Sequence, residues 1–440
     1  MPGVYSGAGR AGTLPLLTDV LVIGAGAAGL ATAIFAGRAA PGLRVRCLDG
    51  ARRVGAKILV SGGSRCNVTN RSVSEHDFWG GSSRVVRHVL RAFPSARAVT
   101  FFEEIGVALH EEEHGKLFPD SNTSRTVLAA LLDEAARVGV DLAESRRVTG
   151  VRRGAHGFEV DVASGGVERA RVLVLATGGR ALPKTGSDGV GYALARSLGH
   201  ACVPTTPALA PLVLGGVRHR ALSGVSHPAE LALRVDGRIA LRLQGDLLWT
   251  HVGISGPVAL DMSRHWHRAT LGGGAADVTL NLLPGETHES LERWWLDQER
   301  LRPRARVSTV LGARLPSAVA DAWAAEANLA TDVTMAHVPR DARRRMLGAL
   351  LETSLDVRDS RGYTYAEATA GGVPLDEIDA ATMASRVCPG LFLAGEVLDV
   401  DGRLGGFNFQ WAWASGWVAG RAVAKAARSG HANAAVDGTA

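Results

Sequence analysis

At 440 residues the chain is long enough for two or three domains and a large buried core. A formal net charge of +6 and a pI near 9.5 invite a nucleic-acid reading, but the arginines are scattered and no RNA- or DNA-binding module signature occurs, so the charge reads as a solvated surface with no specific nucleic-acid partner. Four dispersed cysteines without a CxxC exclude a redox pair, a zinc ribbon or an iron–sulfur site, no apolar run reaches transmembrane length, and residues 1–18 lack a signal-peptide pattern; a cytoplasmic protein with no membrane contact, no metal and a disordered 1–18 extension is expected.

Val20 to Ile23 form an apolar run that leads into Gly24, Gly26 and Gly29 and then into an alanine-rich helical stretch, Leu30 to Ala40. This is a strand, a tight turn and a helix start: the first glycine turns the chain, the second lets backbone approach a pyrophosphate, and the third lets helix pack on strand. Phosphates would sit on the unpaired N–H groups at the positive end of that helix. A second strand-like run, Arg44 to Leu48, ends at Asp49, where a carboxylate can bind ribose hydroxyls. By itself the turn is compatible with NAD, with FAD or with an empty structural turn.

Gly55 to Asn70 shows little periodicity and reads as a polar loop placed to run along a cofactor. Residues 84–110 and 124–139 read as helices, and Arg146 to Arg152, Gly157 to Ala163 and Arg171 to Ala176 read as a small antiparallel excursion returning to the main sheet. The return strand ends in Thr177-Gly178-Gly179. Leu231 to Val235, the Asp236-Gly237 turn and Arg238 to Leu243 predict a hairpin within a β-rich module over 205–285. Residues 286–355 read as helical. Both pieces are expected to interrupt a discontinuous nucleotide-binding domain, 19–204 and 356–428. Strand character returns around Tyr363 to Ala370 and again at Leu391 to Ala394, followed by Gly395-Glu396, Gly405-Gly406 and a long helix, Trp411 to Arg428; residues 429–440 read as a frayed tail.

Several blocks together carry a family pattern: Gly24 to Gly29, Ser61 to Asn70 (SGGSRCNVTN), Ala176 to Lys184, His251 to Pro257 (HVGISGP), Thr369 to Val373 (TAGGV) and Leu393 to Gln410 (LAGEVLDVDGRLGGFNFQ). The chain resembles the bacterial BaiN-like, or YhiN-like, flavoproteins, NAD(P)/FAD-dependent oxidoreductases also described as an aminoacetone oxidase family. That resemblance implies an α/β fold: a glutathione-reductase-like FAD-binding Rossmann domain with an inserted β-barrel-like module and a helical module. It further implies that Gly24, Gly26, Ala27, Ala28 and Gly29 hold the pyrophosphate, and that Asp49 with Gly50 holds the adenosine ribose. Lys57, Ser61, Gly62, Gly63, Arg65, Cys66 and Asn67 would follow the cofactor toward its ring. Val148 would meet adenine, and Ala176, Thr177 and Gly178 the nucleotide. Gly395, Glu396, Asp401, Gly405, Gly406, Phe407 and Asn408 would surround the flavin end. The family often reads Gly-Arg-Lys where this chain has Gly55-Ala56-Lys57, so any contact from that arginine is missing here.

Candidate catalytic groups are few. His251, beside the GISGP turn, could donate a proton to a substrate carbonyl or simply hold its loop. Arg65 could bind an acidic substrate or a cofactor phosphate. Cys66 could form a flavin adduct or be a packing residue. No second GxGxxG in a βαβ setting is present, so NAD(P)H is expected to visit the substrate face transiently. The expected reaction is NAD(P)H-linked reduction of a small organic substrate such as an activated C=C or carbonyl compound. An oxygen-using amine oxidase and an RNA-directed or non-catalytic FAD-binding protein are the alternatives, and the oligomeric state is open.

Overall fold

The computed structural model describes residues 18–437, with side chains described as far as Ser429. The expected 1–18 extension therefore lies outside the described residues, except that Thr18 already pairs with Ala170 in the first strand. That strand, Thr18–Ile23, is buried from Asp19 onward, as a central parallel strand covered on both faces must be. It lies between Val45–Leu48 and Val167–Leu175, parallel to both. Asp141–Ala143 forms one edge of the sheet. Beyond Val167–Leu175 the sheet forks: residues 167–170 pair antiparallel with the hairpin Val148–Gly154/Gly157–Val162, while 173–175 pair in parallel with Leu391–Leu393. The antiparallel excursion is thus a wing on a Rossmann-type sheet.

The helix Ala27–Ala39 packs against the last helix, Phe407–Asp437. Small residues permit this contact. A Cβ at Gly416 would stand 2.7 Å from the Ala31 Cβ, and one at Gly420 would stand 2.6 Å from the Thr32 carbonyl oxygen, so the two backbones approach as closely as glycine allows. Trp411 and Trp413 are buried in the same core.

Several elements differ from the periodicity reading. The expected helix 84–110 is two, Ser83–Ala92 and Ser95–Glu104, because Pro94 lacks the N–H to continue the first; Leu109–Glu112 is a strand. The polar stretch after Gly55 is not irregular throughout: Ala56–Ser64 winds as a short helix that breaks at Ser61 (ψ 150°) and turns left-handed at Gly62 and Gly63. The last helix continues to Asp437, through the region expected to fray, where alanines favour helix.

The inserted segment builds a second hydrophobic core from residues 212–355. Its antiparallel sheet runs Thr353–Leu355, Ala276–Asn281, Ser226–Val235, Arg238–Thr250, Gly253–Ser255, Leu212–Leu214 and Val357–Ser360. The two end strands, Thr353–Leu355 and Val357–Ser360, are separated in sequence by Asp356 alone. A sheet whose opposite edges are joined by one residue must curl on itself, which gives the barrel-like form. Unanticipated by the β-rich reading, the helix Pro257–Leu271 packs on this sheet through Val258, Ala259, Met262 and Trp266. The chain leaves and re-enters the Rossmann-type part through paired strands, Val203–Ala208 and Ala368–Gly372. Among the described residues, no helix is long and apolar enough to cross a membrane.

Candidate active site

A single cleft of about 950 Å³ opens at the carboxyl ends of the parallel strands, where Ile23, Leu48 and Ala176 reach its wall. This is the upper end of the ~300–1,000 Å³ typical of cofactor and small-molecule sites. At one end stands the glycine-rich turn. Gly24 has φ 101°, and a Cβ there would lie 2.4 Å from the Ala176 carbonyl oxygen; a Cβ on Gly29 would lie 1.8 Å from that of Gly24. Those two glycines are required by the protein's own packing. Gly26 is different, since a Cβ there would meet no protein atom within 4 Å. It faces the cleft at the start of Ala27–Ala39, a helix with no side-chain cap and no acid in its first turn. Free N–H groups and the positive helix end therefore face the cleft, an arrangement suited to a pyrophosphate.

Asp49 lines the same end. Its two oxygens accept from the Ala25 and Ala51 N–H groups, each at 2.7 Å, while burial pushes its carboxyl above the usual range. Ala27, Ala28, Gly50, Val148, Thr177 and Gly178 complete this half.

Along the cleft, Lys57 Nζ meets Glu396 Oε2 at 2.6 Å, joining residues 339 apart in sequence. Ser61, Gly62, Arg65 and Asn67 line the middle, and Gly405, Gly406 and Asn408 the far wall. Arg65 stacks over Phe118 at 4.1 Å and is bound by both oxygens of Glu112, at 2.6 and 3.2 Å, so much of its charge is already matched.

Other expected residues stand behind the wall. Gly29, Gly63, Gly395, Asp401 and Phe407 are outside the set that lines the cleft. Cys66 is fully buried and its thiol is pushed up to about 12, so it is not a thiolate at neutral pH. Asp401 is also buried, where Arg264 of the inserted helix grips it at 2.8 and 2.9 Å. That pair ties the inserted module to the Rossmann-type part. His251 is exposed at the turn between Arg238–Thr250 and Gly253–Ser255 and does not reach the cleft wall.

The structure adds residues that sequence reading missed: Lys116 and Phe118, Leu209, Tyr365, Glu367, Arg403 and Leu404. Glu367 lies two residues before the TAGGV block and could have been noticed there, as Arg403 and Leu404 could have been within the Leu393 to Gln410 block; Lys116, Phe118, Leu209 and Tyr365 carry no local signal. Asp261, on the helix Pro257–Leu271, accepts from the Leu404 N–H at 2.7 Å, and burial pushes its carboxyl up to about 6.

Four buried side-chain atoms of cleft residues have no partner within the protein: Asn67 Oδ1, Thr177 Oγ1, Ser187 Oγ and Glu396 Oε1. Leaving such an atom unsatisfied costs ~1–3 kcal/mol, so each calls for a polar partner, water or ligand, in the cleft. The open glycine backbone at one end, the row of acceptors and hydroxyls, and the uncapped start of Ala27–Ala39 fit FAD, whose diphosphate, ribose and ribityl hydroxyls need those partners.

The HI0933-like protein Rossmann domain model matches residues 18–422. The chain is 32% identical over 403 residues, 91% of its length and 96% of the relative's, to a protein named ribosomal RNA dihydrouridine synthase from Escherichia coli (strain K12). It is 31% identical over 404 residues, 92% of its length and 98% of the relative's, to a 3-dehydro-bile acid delta(4,6)-reductase from Clostridium scindens (strain ATCC 35704 / DSM 5676 / VPI 13733 / 19). A second ribosomal RNA dihydrouridine synthase, from Haemophilus influenzae (strain ATCC 51907 / DSM 11121 / KW20 / Rd), is 30% identical over 413 residues, 93% of this chain and 99% of that one.

Proposed function

The chain belongs to the HI0933-like Rossmann-domain family of FAD-dependent oxidoreductases, and from that premise we propose that it reduces a carbon–carbon double bond conjugated to a carbonyl, with NAD(P)H as hydride source. The observation that carries this reading is that one continuous cleft combines the cradle for FAD with a far end of mixed character. Leu209, Tyr365 and Leu404 offer apolar surface there, beside Lys116 and the start of the last helix. When hydride reaches the β-carbon of a conjugated system, negative charge collects on the carbonyl oxygen. Lysine and the N–H groups at that helix start stabilise such charge. The cofactor, when bound, supplies the hydride chemistry. The protein holds the substrate and shields the reacting carbons, with Lys57 keeping the Glu396 carboxylate in place at the flavin end.

Two substrate classes share this bond arrangement. The base of uridine has its C5=C6 bond conjugated to the C4 carbonyl, and a 3-oxo steroid-like acid has its double bonds conjugated to the 3-oxo group. We favour uridine in ribosomal RNA, because two of the three relatives above carry that name and the net charge of +6 suits a polyanion. This reverses the expectation of no nucleic-acid partner, which rested on the absence of a recognised RNA-binding module. The small enone is the second reading, supported by the bile-acid reductase relative.

The test is anaerobic mixing of the FAD-loaded protein with NADPH or NADH, then with in vitro transcribed ribosomal RNA or with a 4-en-3-oxosteroid. Flavin bleaching, then recovery of colour with a uridine that has gained two hydrogens, is the expected result. Recovery with the steroid alone would select the second reading. Failure of both nicotinamides to bleach the flavin would reject the NAD(P)H linkage.

A further inference from the structure

We propose that the carboxyl group of Glu367 is the acid that protonates the substrate's α-carbon in this reduction, an inference that rests on the reaction proposed above. Four carboxylates line the cleft among the described residues, and three are engaged by protein. Asp49 accepts two backbone N–H groups, Asp188 pairs with Arg147 at 2.6 Å, and Glu396 pairs with Lys57. Glu367 has no hydrogen bond or ion pair to its carboxylate among the described residues. Its neighbours fix its direction. Ala366 and Ala368 are buried on either side, and its own N–H donates to the Leu209 carbonyl at 3.1 Å. The side chain between them is walled by protein yet exposed, and the space that exposes it is the cleft.

The surroundings suit a proton donor. Burial raises the carboxyl above the usual range, and Lys57 opposes that in part. Asp261, on the helix Pro257–Leu271 of the inserted module, is raised to about 6 chiefly by burial, to which the Glu367 charge adds; Arg403 and Lys116, both on the cleft wall, act on Asp261 in the opposite sense. Burial thus holds both carboxyls toward their protonated forms, with the Glu367 charge adding to the rise at Asp261. Two other nearby groups are less suited. Lys57 is committed to Glu396, and Tyr365 lies against Arg361 at 3.3 Å from its ring centre.

The step balances as follows. Hydride whose source is NAD(P)H adds to the β-carbon, and the π pair moves to the α-carbon and its carbonyl. The O–H bond of Glu367 breaks, a C–H bond forms at the α-carbon, and the carboxylate left behind is reprotonated by solvent through the cleft mouth. In uridine these positions are C6 and C5.

Glu367→Gln and Glu367→Asp variants of the FAD-loaded protein test this. With Gln, flavin content and nicotinamide-driven bleaching should persist, while reoxidation by ribosomal RNA or the 4-en-3-oxosteroid slows by ~100-fold or more, the usual worth of a general acid. Asp should restore part of the rate. The wild-type reoxidation rate should fall as pH rises through the Glu367 titration, and the Gln variant should lose that limb. A readout independent of turnover is infrared difference titration of the protein: a carboxyl band that disappears above the ordinary glutamate range is expected in the wild type and absent in Glu367→Gln. Reoxidation of Glu367→Gln at the wild-type rate, or a Glu367 carboxyl titrating in the ordinary range, overturns the proposal while leaving the reaction standing. A wild-type protein that bleaches but reduces neither probe overturns the reaction, and this role of Glu367 with it.

Discussion

The two ends of the cleft are built by opposite means. The adenosine end is nearly all local: Gly24, Gly26, Gly29 and Asp49 fall within one strand, turn, helix and strand. Its chemistry is mostly backbone: at Gly24 and Gly29 a Cβ would collide with a neighbouring carbonyl, while at Gly26 it would meet no protein atom and would stand in the cleft. The far end draws Lys57, Asn67, Lys116, Leu209, Glu367, Glu396 and Gly405 from across the chain. Its chemistry lies in side chains, and its shape depends on how the inserted module docks. A diphosphate site needs only a repeated backbone geometry, whereas a substrate site needs groups from several directions.

Substitutions can break that contrast at either end. The largest effect is expected from Gly29→Ala, because the new Cβ would stand 1.8 Å from a backbone oxygen that no rotamer change can move. The purified protein should carry no flavin absorbance. A yellow protein with full FAD content would show that the adenosine end is less dependent on backbone packing than its geometry implies.

Next is Arg264→Ala, which leaves Asp401 buried without its partner. Breaking such a pair costs ~3–5 kcal/mol, to be read from urea unfolding. Arg264→Met combined with Asp401→Leu should recover most of that, because the charge is removed with its partner. Flavin reduction by the recovered double variant would report whether the docking contact also shapes the far end.

Asp261→Asn is expected to be milder and to depend on pH. The folded protein holds the Asp261 proton up to about pH 6, above the ordinary aspartate value of 3.8. Its contribution therefore favours folding fully below the lower value and is withdrawn as pH rises through the higher one. The Asn variant, which can still accept from the Leu404 N–H, should gain stability on the wild type between pH 4 and 7, by no more than ~2 kcal/mol. Thermal unfolding at pH 4 and pH 7.5 measures it, and an equal difference at both would rule out the titration. The smallest effect is expected from Arg65→Met, at most ~1 kcal/mol of stability for a partly exposed pair with Glu112. A marked loss of bound FAD in that variant would instead mean that Arg65 turns from Glu112 to the cofactor.

The sequence was informative where spacing reports a repeating backbone geometry. Val20 to Gly29 marked the turn, the Asp236-Gly237 signal marked the hairpin, and the blocks around Asn67 and Glu396 identified stretches that reach the cleft. It was misleading where a residue shares a motif with cleft residues but points elsewhere. Asp401 lies between Glu396 and Gly405, both on the wall, yet faces Arg264 because alternate positions of Val400–Gly402 face opposite sides. Cys66, between Arg65 and Asn67, is buried where the backbone turns left-handed, at φ 64°.

The sequence by itself determined the Rossmann-type frame, the phosphate-binding turn and the family, since each depends on short-range backbone preference and on blocks read in order. Only the tertiary structure decided that His251 stands away from the cleft, that Arg65 is held by Glu112, and that Glu367 lines the cleft with no hydrogen bond or ion pair to its carboxylate among the described residues. Those are relations between residues from tens to just over a hundred positions apart, fixed when separate elements pack together, and no periodicity along the chain encodes them.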